Sequence, residues 1–181
     1  SIIIISYFIN LLIISYSNNL IIYSNYISVI IIPCLIVFLL YNSPPAKIFM
    51  GDCGAIILGF LIGFSMFEMI NNGFALLILS SFAYPLTDCT ITIIKKTFKG
   101  IWPWVRLGDY FFLIPKKNVK KGNALKIERK LFYYILGFSL LSILINLLSV
   151  FLNNNYIFLL NFIFALILIS IFRSFKKTKS T

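Results

Sequence analysis

The chain has 181 residues, 60% of them hydrophobic and only 12% charged, and its mean hydropathy is +0.98. An ordinary soluble domain carries about 25% charged residues, so this composition excludes one. The formal net charge of +11 suggests nucleic acid at first sight. The cations, however, stand in blocks between apolar runs, a pattern that sets membrane orientation and meets anionic headgroups. No nucleic-acid partner is expected. With no His, and with Cys34, Cys53 and Cys89 lacking a CxxC spacing, neither a zinc site nor a disulfide framework is expected. The three cysteines read as reduced packing residues.

The expected fold class is all-α: a polytopic membrane helical bundle of about six transmembrane helices forming one integral membrane domain over residues 1–181. Sequence begins at Ser1 with Ile2 to Ile5, without Met or a basic n-region, which reads as a chain cut inside or just before a span rather than a signal peptide. Span one covers about 1–16 and is followed by the turn Ser17-Asn18-Asn19. Span two covers about 20–41 and contains Pro33, which is expected to kink it. Pro44 and Pro45 stop that helix. A polar loop, 42–53, leads to span three, about 54–70, opened by Gly54. Gly59 and Gly63 on one face of this span are expected to allow close helix approach. After Asn71-Asn72-Gly73, span four covers about 74–94 and carries Pro85-Leu86-Thr87-Asp88. Residues 95–130 form a long polar segment with eleven of the sixteen Lys and Arg, opposed only by Asp109 and Glu128. Spans five and six cover about 131–152 and 156–172, separated by Asn153-Asn154-Asn155, and a basic tail ends the chain.

Polar segments without any Lys or Arg (17–19, 71–73, 153–155) alternate with segments that hold all sixteen (42–53, 95–130, 173–181). The positive-inside rule places the second set in the cytoplasm. The expected location is therefore the inner (cytoplasmic) membrane, multi-pass, with the loop around Asp52 on the cytoplasmic side.

A carboxylate and a cation at a membrane surface suit a phosphate-bearing substrate with a divalent metal. Mg²⁺ takes one or two carboxylates and leaves the rest of its shell to water and substrate phosphate, and Asp52 is the candidate ligand. Gly51 permits close backbone approach. Phe49 offers a face for a flat base and Lys47 offsets phosphate charge. Each residue also has a plainer reading. Gly-Asp alone is a turn and helix start, Phe49 an interfacial aromatic, and Lys47 a topology determinant. Asp88 is interfacial by position, yet ionisable residues in spans mark function by default. Glu68, near the far end of span three, reads as structural. Arg106 and Asp109 read equally as a pair within a headgroup-binding segment.

The stretch Pro44-Pro-Ala-Lys-Ile-Phe-Met-Gly-Asp-Cys-Gly-Ala-Ile-Ile-Leu-Gly-Phe60 resembles the Pro-Ala-x-x-Phe-Met-Gly-Asp-Ser/Thr-Gly-Ser signature of the polyprenyl-phosphate N-acetylhexosamine-1-phosphate transferases. A second stretch, Tyr84-Pro-Leu-Thr-Asp88 followed by Thr92-Ile-Ile-Lys-Lys96, resembles that family's Pro-Leu-x-Asp-Thr helix leading into a basic loop. The resemblance implies an enzyme, a phosphotransferase that passes a sugar 1-phosphate from a UDP-sugar to a polyprenyl phosphate lipid and releases UMP, with Mg²⁺ as cofactor, in cell-wall or surface polysaccharide biosynthesis. It implies Asp52 as metal ligand and catalytic residue and Asp88 as a second catalytic residue. It places Asn42, Lys47, Phe49, Gly51 and Arg106 along the substrate. A homodimer stays open as an assembly.

Three departures from the family pattern stand beside this. The Asp-Asp and Asn-x-x-Asp-Gly-x-Asp-Gly motifs, expected upstream, are not in this chain; the chain reads as starting just after the second. The stretch Val105 to Phe112 has no His where the family's loop carries several, and Cys53 and Ala55 replace hydroxyl residues, which weakens hydrogen bonding to phosphate. The alternative is a non-catalytic or degenerate membrane protein, or a helper subunit.

Overall fold

The computed structural model describes residues 1–20, 22–102, 124–152 and 156–174. Arg106, Asp109, the stretch Val105 to Phe112, most of the basic segment, the Asn153 to Asn155 turn and residues 175–181 lie outside these. All described secondary structure is helical. The helices are α1 (Ile2–Ser17), α2 (Tyr23–Asn42), α3 (Gly51–Asn71), α4 (Ala75–Ser80), α5 (Ala83–Phe98), α6 (Ala124–Phe151) and α7 (Leu159–Ser174). Three of them, α2, α3 and α6, are long and apolar enough to cross a membrane, while α1 and α7 are shorter apolar helices. The protein is an all-helical membrane bundle, as its composition requires.

Span boundaries follow the apolar pattern closely, with two corrections. Span four is not one helix: it breaks at Ser81-Phe82 into α4 and α5. Pro85 explains the break. Its nitrogen has no hydrogen to donate to the carbonyl four residues earlier, and its ring crowds that carbonyl. The chain closes α4 with i→i+3 bonds (Ser81 N–H to Ile78, Phe82 N–H to Leu79) and restarts so that Pro85 lies in the first turn of α5, where no donor is needed. Span three starts earlier than Gly54: α3 opens at Gly51, so Asp52 belongs to its first turn rather than to a loop. Pro33 lies inside α2 without ending it.

Two apolar clusters make the core. One joins α1, α2, α3 and α4 through residues such as Tyr7, Leu11, Leu35, Met69 and Ile78. The other joins α5, α6 and α7 through Tyr84, Leu131, Phe138, Leu168 and Phe172. Contacts of α1 with α6 tie the two together. The faces of α2 and α3 turned away from the core stay apolar (Ile30, Val37, Leu40, Phe60, Phe67), as lipid contact demands and water forbids.

Many polar side chains inside this bundle pair with one another or with backbone, although Asn10 Oδ1 and Asn161 Oδ1 have no partner among the described residues. Ser6, Ser65, Ser139 and Thr87 return their hydroxyls to carbonyls of their own helix, which removes the cost of placing them in an apolar face. Between helices, Asn146 Oδ1 accepts from Ser80 Oγ (3.1 Å) and Asn161 Nδ2 (3.0 Å), and Asn146 Nδ2 donates to Ser81 Oγ (3.1 Å). Asn10 Nδ2 donates to Ser142 Oγ at 3.5 Å. This seam links α1, α4, α6 and α7. Glu68 is structural, as expected. From the last turns of α3 it accepts from the backbone N–H of Tyr23 (3.3 Å) and Ser24 (2.8 Å) and from the Ser24 hydroxyl, so it caps the N-terminus of α2, which has no cap of its own.

Candidate functional site

The C-terminal end of α2, the Pro pair and the start of α3 form a folded connection. The Pro44-Pro45 bond is cis, and the chain turns back on α2: the Lys47 N–H donates to the Tyr41 carbonyl at 2.8 Å. Asn42 fastens this turn. Its Nδ2 donates to the Ile48 carbonyl at 3.0 Å and its Oδ1 accepts from Ser1 Oγ at 3.4 Å. The chain enters α3 through Gly51 at φ +65°, a conformation in which an L side chain is strained. A β-carbon at Gly54 would stand 2.8 Å from Met50 Cγ, so any larger residue there would force the Met50 side chain to move. Asp52 sits in the first turn of α3, exposed, where a carboxylate also complements the helix dipole.

Beside this connection lies a cavity of about 750 Å³. Its walls come from the start of α1 (Ser1 to Ile3), the connection (Asn42, Pro44, Pro45, Phe49), α5 (Tyr84, Asp88, Cys89) and the start of α6 (Glu128, Phe132). The structure thus brings together Asn42, Phe49 and Asp88 from the predicted set. Lys47, Gly51 and Asp52 are exposed beside the cavity in sequence but are not among its lining residues. Arg106 lies outside the described residues. Phe49 is 79% exposed and open to a ligand; Asp88 is 7% exposed.

Sequence reasoning missed part of this site. Tyr84, Asp88, Thr92 and Lys96 recur every fourth residue on α5 and are all buried, so Asp88 belongs to a polar stripe facing the protein. The four-residue spacing was the available signal. Glu128 reaches the cavity from α6, and its only mark in the sequence was a lone carboxylate among cations. The cysteines are free, as expected, but Cys34, Cys53 and Cys89 are all exposed and do not act as packing residues.

Comparison with known proteins places this geometry. The sequence model of glycosyl transferase family 4 matches residues 1–70, which hold α1, α2, the folded connection and Asp52 through nearly all of α3. Over these residues the chain is similar to glycosyl transferase family 4. A similar protein is the phospho-N-acetylmuramoyl-pentapeptide-transferase of a Nitratiruptor species, 40% identical over 65 residues. That match takes in 36% of this chain and 18% of the length of the relative. No solved structure matches. The family match thus covers the first of the two motifs, while Asp88, Glu128 and the cavity wall on α5 and α6 lie outside it.

Proposed function

We propose that the chain is part of an enzyme that transfers a sugar 1-phosphate, an N-acetylhexosamine 1-phosphate, from a UDP-sugar to polyprenyl (undecaprenyl) phosphate in cell-wall or surface polysaccharide biosynthesis. The observation that carries the reading is the family match across the Asn42 to Asp52 connection, which stands against a cavity of small-molecule size. A phosphate oxygen of the lipid attacks the sugar-linked phosphorus of the donor. The bond from that phosphorus to the bridging oxygen breaks, and UMP leaves with the electron pair. The end of the bundle that carries Ser1, residues 43–50 and the start of α6 is the cytoplasmic end in this reading, because Lys47 and the cations Lys126, Arg129 and Lys130 at the start of α6 share it.

Asp52 fits a magnesium site of this kind. It is exposed, ionisable and fixed by a helix start, and Mg²⁺ asks the protein for only one or two carboxylates. Among the described residues no group of three or more His, Cys, Asp or Glu comes together, which such coordination does not require. Bound there, the ion would neutralise charge on the diphosphate. Lys47 would add a second positive charge, and Phe49 an aromatic face for the uracil.

The test is UMP release by the full-length protein containing this chain, reconstituted with undecaprenyl phosphate and offered a panel of UDP-sugars. Release with at least one donor, dependent on both lipid and Mg²⁺ and abolished by EDTA, is expected. No release from any donor would overturn the transferase reading in favour of a non-catalytic membrane protein.

A further inference from the structure

We infer that the outward face of α6, near its N-terminal end, binds an anionic phospholipid at a place separate from the cavity. Lys126, Arg129 and Lys130 hold the phosphate of the headgroup, Tyr133 marks the hydrocarbon boundary, and an acyl chain lies along the helix across Gly137. The inference goes beyond the transferase reading and does not depend on it.

The start of α6 presents two faces. Leu125, Glu128, Phe132 and Ile135 line the cavity. One residue further round, Lys126, Arg129, Lys130 and Tyr133 recur at three- and four-residue spacing and are exposed, Tyr133 by 67%. None of these three cations makes an ion pair or a side-chain hydrogen bond among the described residues. Glu128, the carboxylate within this stretch, belongs to the cavity side. The cations therefore repel one another along one helix face. They also stand in the first turns of α6, where the helix dipole disfavours positive charge and where the first turn holds no acidic residue. An anion lying across them relieves both.

Depth decides which anion. From Tyr133 to Phe151 the helix rises about 27 Å, close to the roughly 30 Å of a bilayer's hydrocarbon core. Tyr133 thus stands at one boundary, where tyrosine is favoured, and the cations lie within about two turns of it, at headgroup level. A phospholipid brings its phosphate to that level and its tails into the layer below. There the same face continues through Gly137, where a β-carbon would meet nothing within 4 Å, to the exposed Leu140. The missing side chain leaves a notch between Tyr133 and Leu140 for an acyl chain. A second protein helix would have to carry carboxylates into the headgroup layer to meet the same three cations, and membrane helices carry few.

The open space at Gly137 also admits a reporter. The full-length protein carrying Gly137→Cys, with Cys34→Ser, Cys53→Ser, Cys89→Ser and any further cysteines replaced, is labelled there with an environment-sensitive fluorophore and placed in phosphatidylcholine nanodiscs. Quenching is compared between brominated phosphatidylglycerol and brominated phosphatidylcholine at equal mole fraction. The anionic lipid is preferred by about tenfold, less than three unscreened cations would give. Lys126→Gln, Arg129→Gln and Lys130→Gln each lower that preference by about twofold, and the triple variant brings it close to one. Lys176→Gln, Lys177→Gln and Lys179→Gln together remove as much charge from the C-terminal tail and leave the preference as it was. Native mass spectrometry on protein with Gly137 intact gives the second reading: the α6 triple variant retains fewer phosphatidylglycerol molecules than the tail variant. Equal quenching by the two lipids overturns the inference, as does an equal loss in the α6 and tail variants, which would be attraction by bulk charge. Quenching by neither lipid means that protein covers this face, and overturns it. Displacement of phosphatidylglycerol by a few mole per cent of undecaprenyl phosphate, or by free inorganic phosphate, assigns the face to that ligand instead and overturns it too.

Discussion

The bundle places polar side chains in two ways. In the seam of Asn10, Ser80, Ser81, Ser142, Asn146 and Asn161, they are buried and direct their hydrogen bonds to one another across four helices. At the end that carries the folded connection, Lys47, Phe49 and Asp52 are exposed, and the turn beneath them is held by backbone bonds and by Asn42. The first arrangement serves association of helices that lipid alone does not drive together. The second leaves a cation, an aromatic ring and a carboxylate at the surface of the bundle. A substitution in the seam should therefore change stability with little change in chemistry, and one at the connection should do the reverse.

The largest separation is expected from Asp52→Asn in the full-length protein. The change keeps size and shape at an exposed position, so the packing of the bundle is left as it was. UMP release should fall by two to three orders of magnitude, about the effect of removing one key electrostatic group. The amount of folded protein extracted from the membrane should not change. Retention of more than a tenth of the activity would remove Asp52 from the metal role.

In the seam, Asn146→Leu deletes three interhelical hydrogen bonds and strands Ser81 without its donor. Membrane hydrogen bonds average about 0.6 kcal/mol each, and stranded polar groups add to that, so a loss of about 2–3 kcal/mol is expected. It would be read as a lower denaturation midpoint in detergent. The KM for the donor should hold, because none of these seam residues lines the cavity. Glu68→Ala comes next, at about 1–2 kcal/mol, since it uncovers the N-terminal N–H groups of α2 at Tyr23 and Ser24. Loss of function from that change with no loss of stability would show that the far end of α3 does more than cap.

These regions also differ in how visible they were beforehand. Span positions were legible because apolar length is a one-dimensional property. Spans one, two, three, five and six match helices to within a few residues at most ends. The break at Ser81-Phe82 was not, because a mid-span Pro permits either a kink or a new helix start, and hydrogen bonding in three dimensions decides between them. The motif around Asp52 was legible as a local string of special residues: Gly51 takes a positive φ, and Gly54 lets the Met50 side chain lie close to the start of α3. Whether Asp52 acts with Asp88 was not legible, since they stand on different helices. The structure brings Asn42, just before the first motif, and Phe49 within it to the same cavity as Asp88 of the second, while Asp52 itself lies outside its lining. The seam is not legible in the sequence. Its Ser and Asn residues are scattered through apolar runs, and only folding places Asn146 against Asn161 and Ser80.

The smallest expected effect concerns Gly59, and it sharpens the comparison from a third side. A glycine pair four residues apart in a membrane helix predicts close packing, yet a β-carbon at Gly59 or Gly63 meets nothing within 4 Å. Neither glycine has a conformational need, unlike Gly51, where alanine would be strained by about 1–2 kcal/mol. With open space outside it, Gly59→Ala should be neutral or stabilising by up to about 1 kcal/mol, through helix propensity alone. The measurement is the denaturation midpoint of the full-length protein. A destabilisation of more than about 1 kcal/mol would mean that a further helix lies against this face, where the added methyl group meets it. Because Asp52 and Gly59 lie seven residues apart on α3, about two turns, that helix would run along the side of α3 that carries the exposed carboxylate.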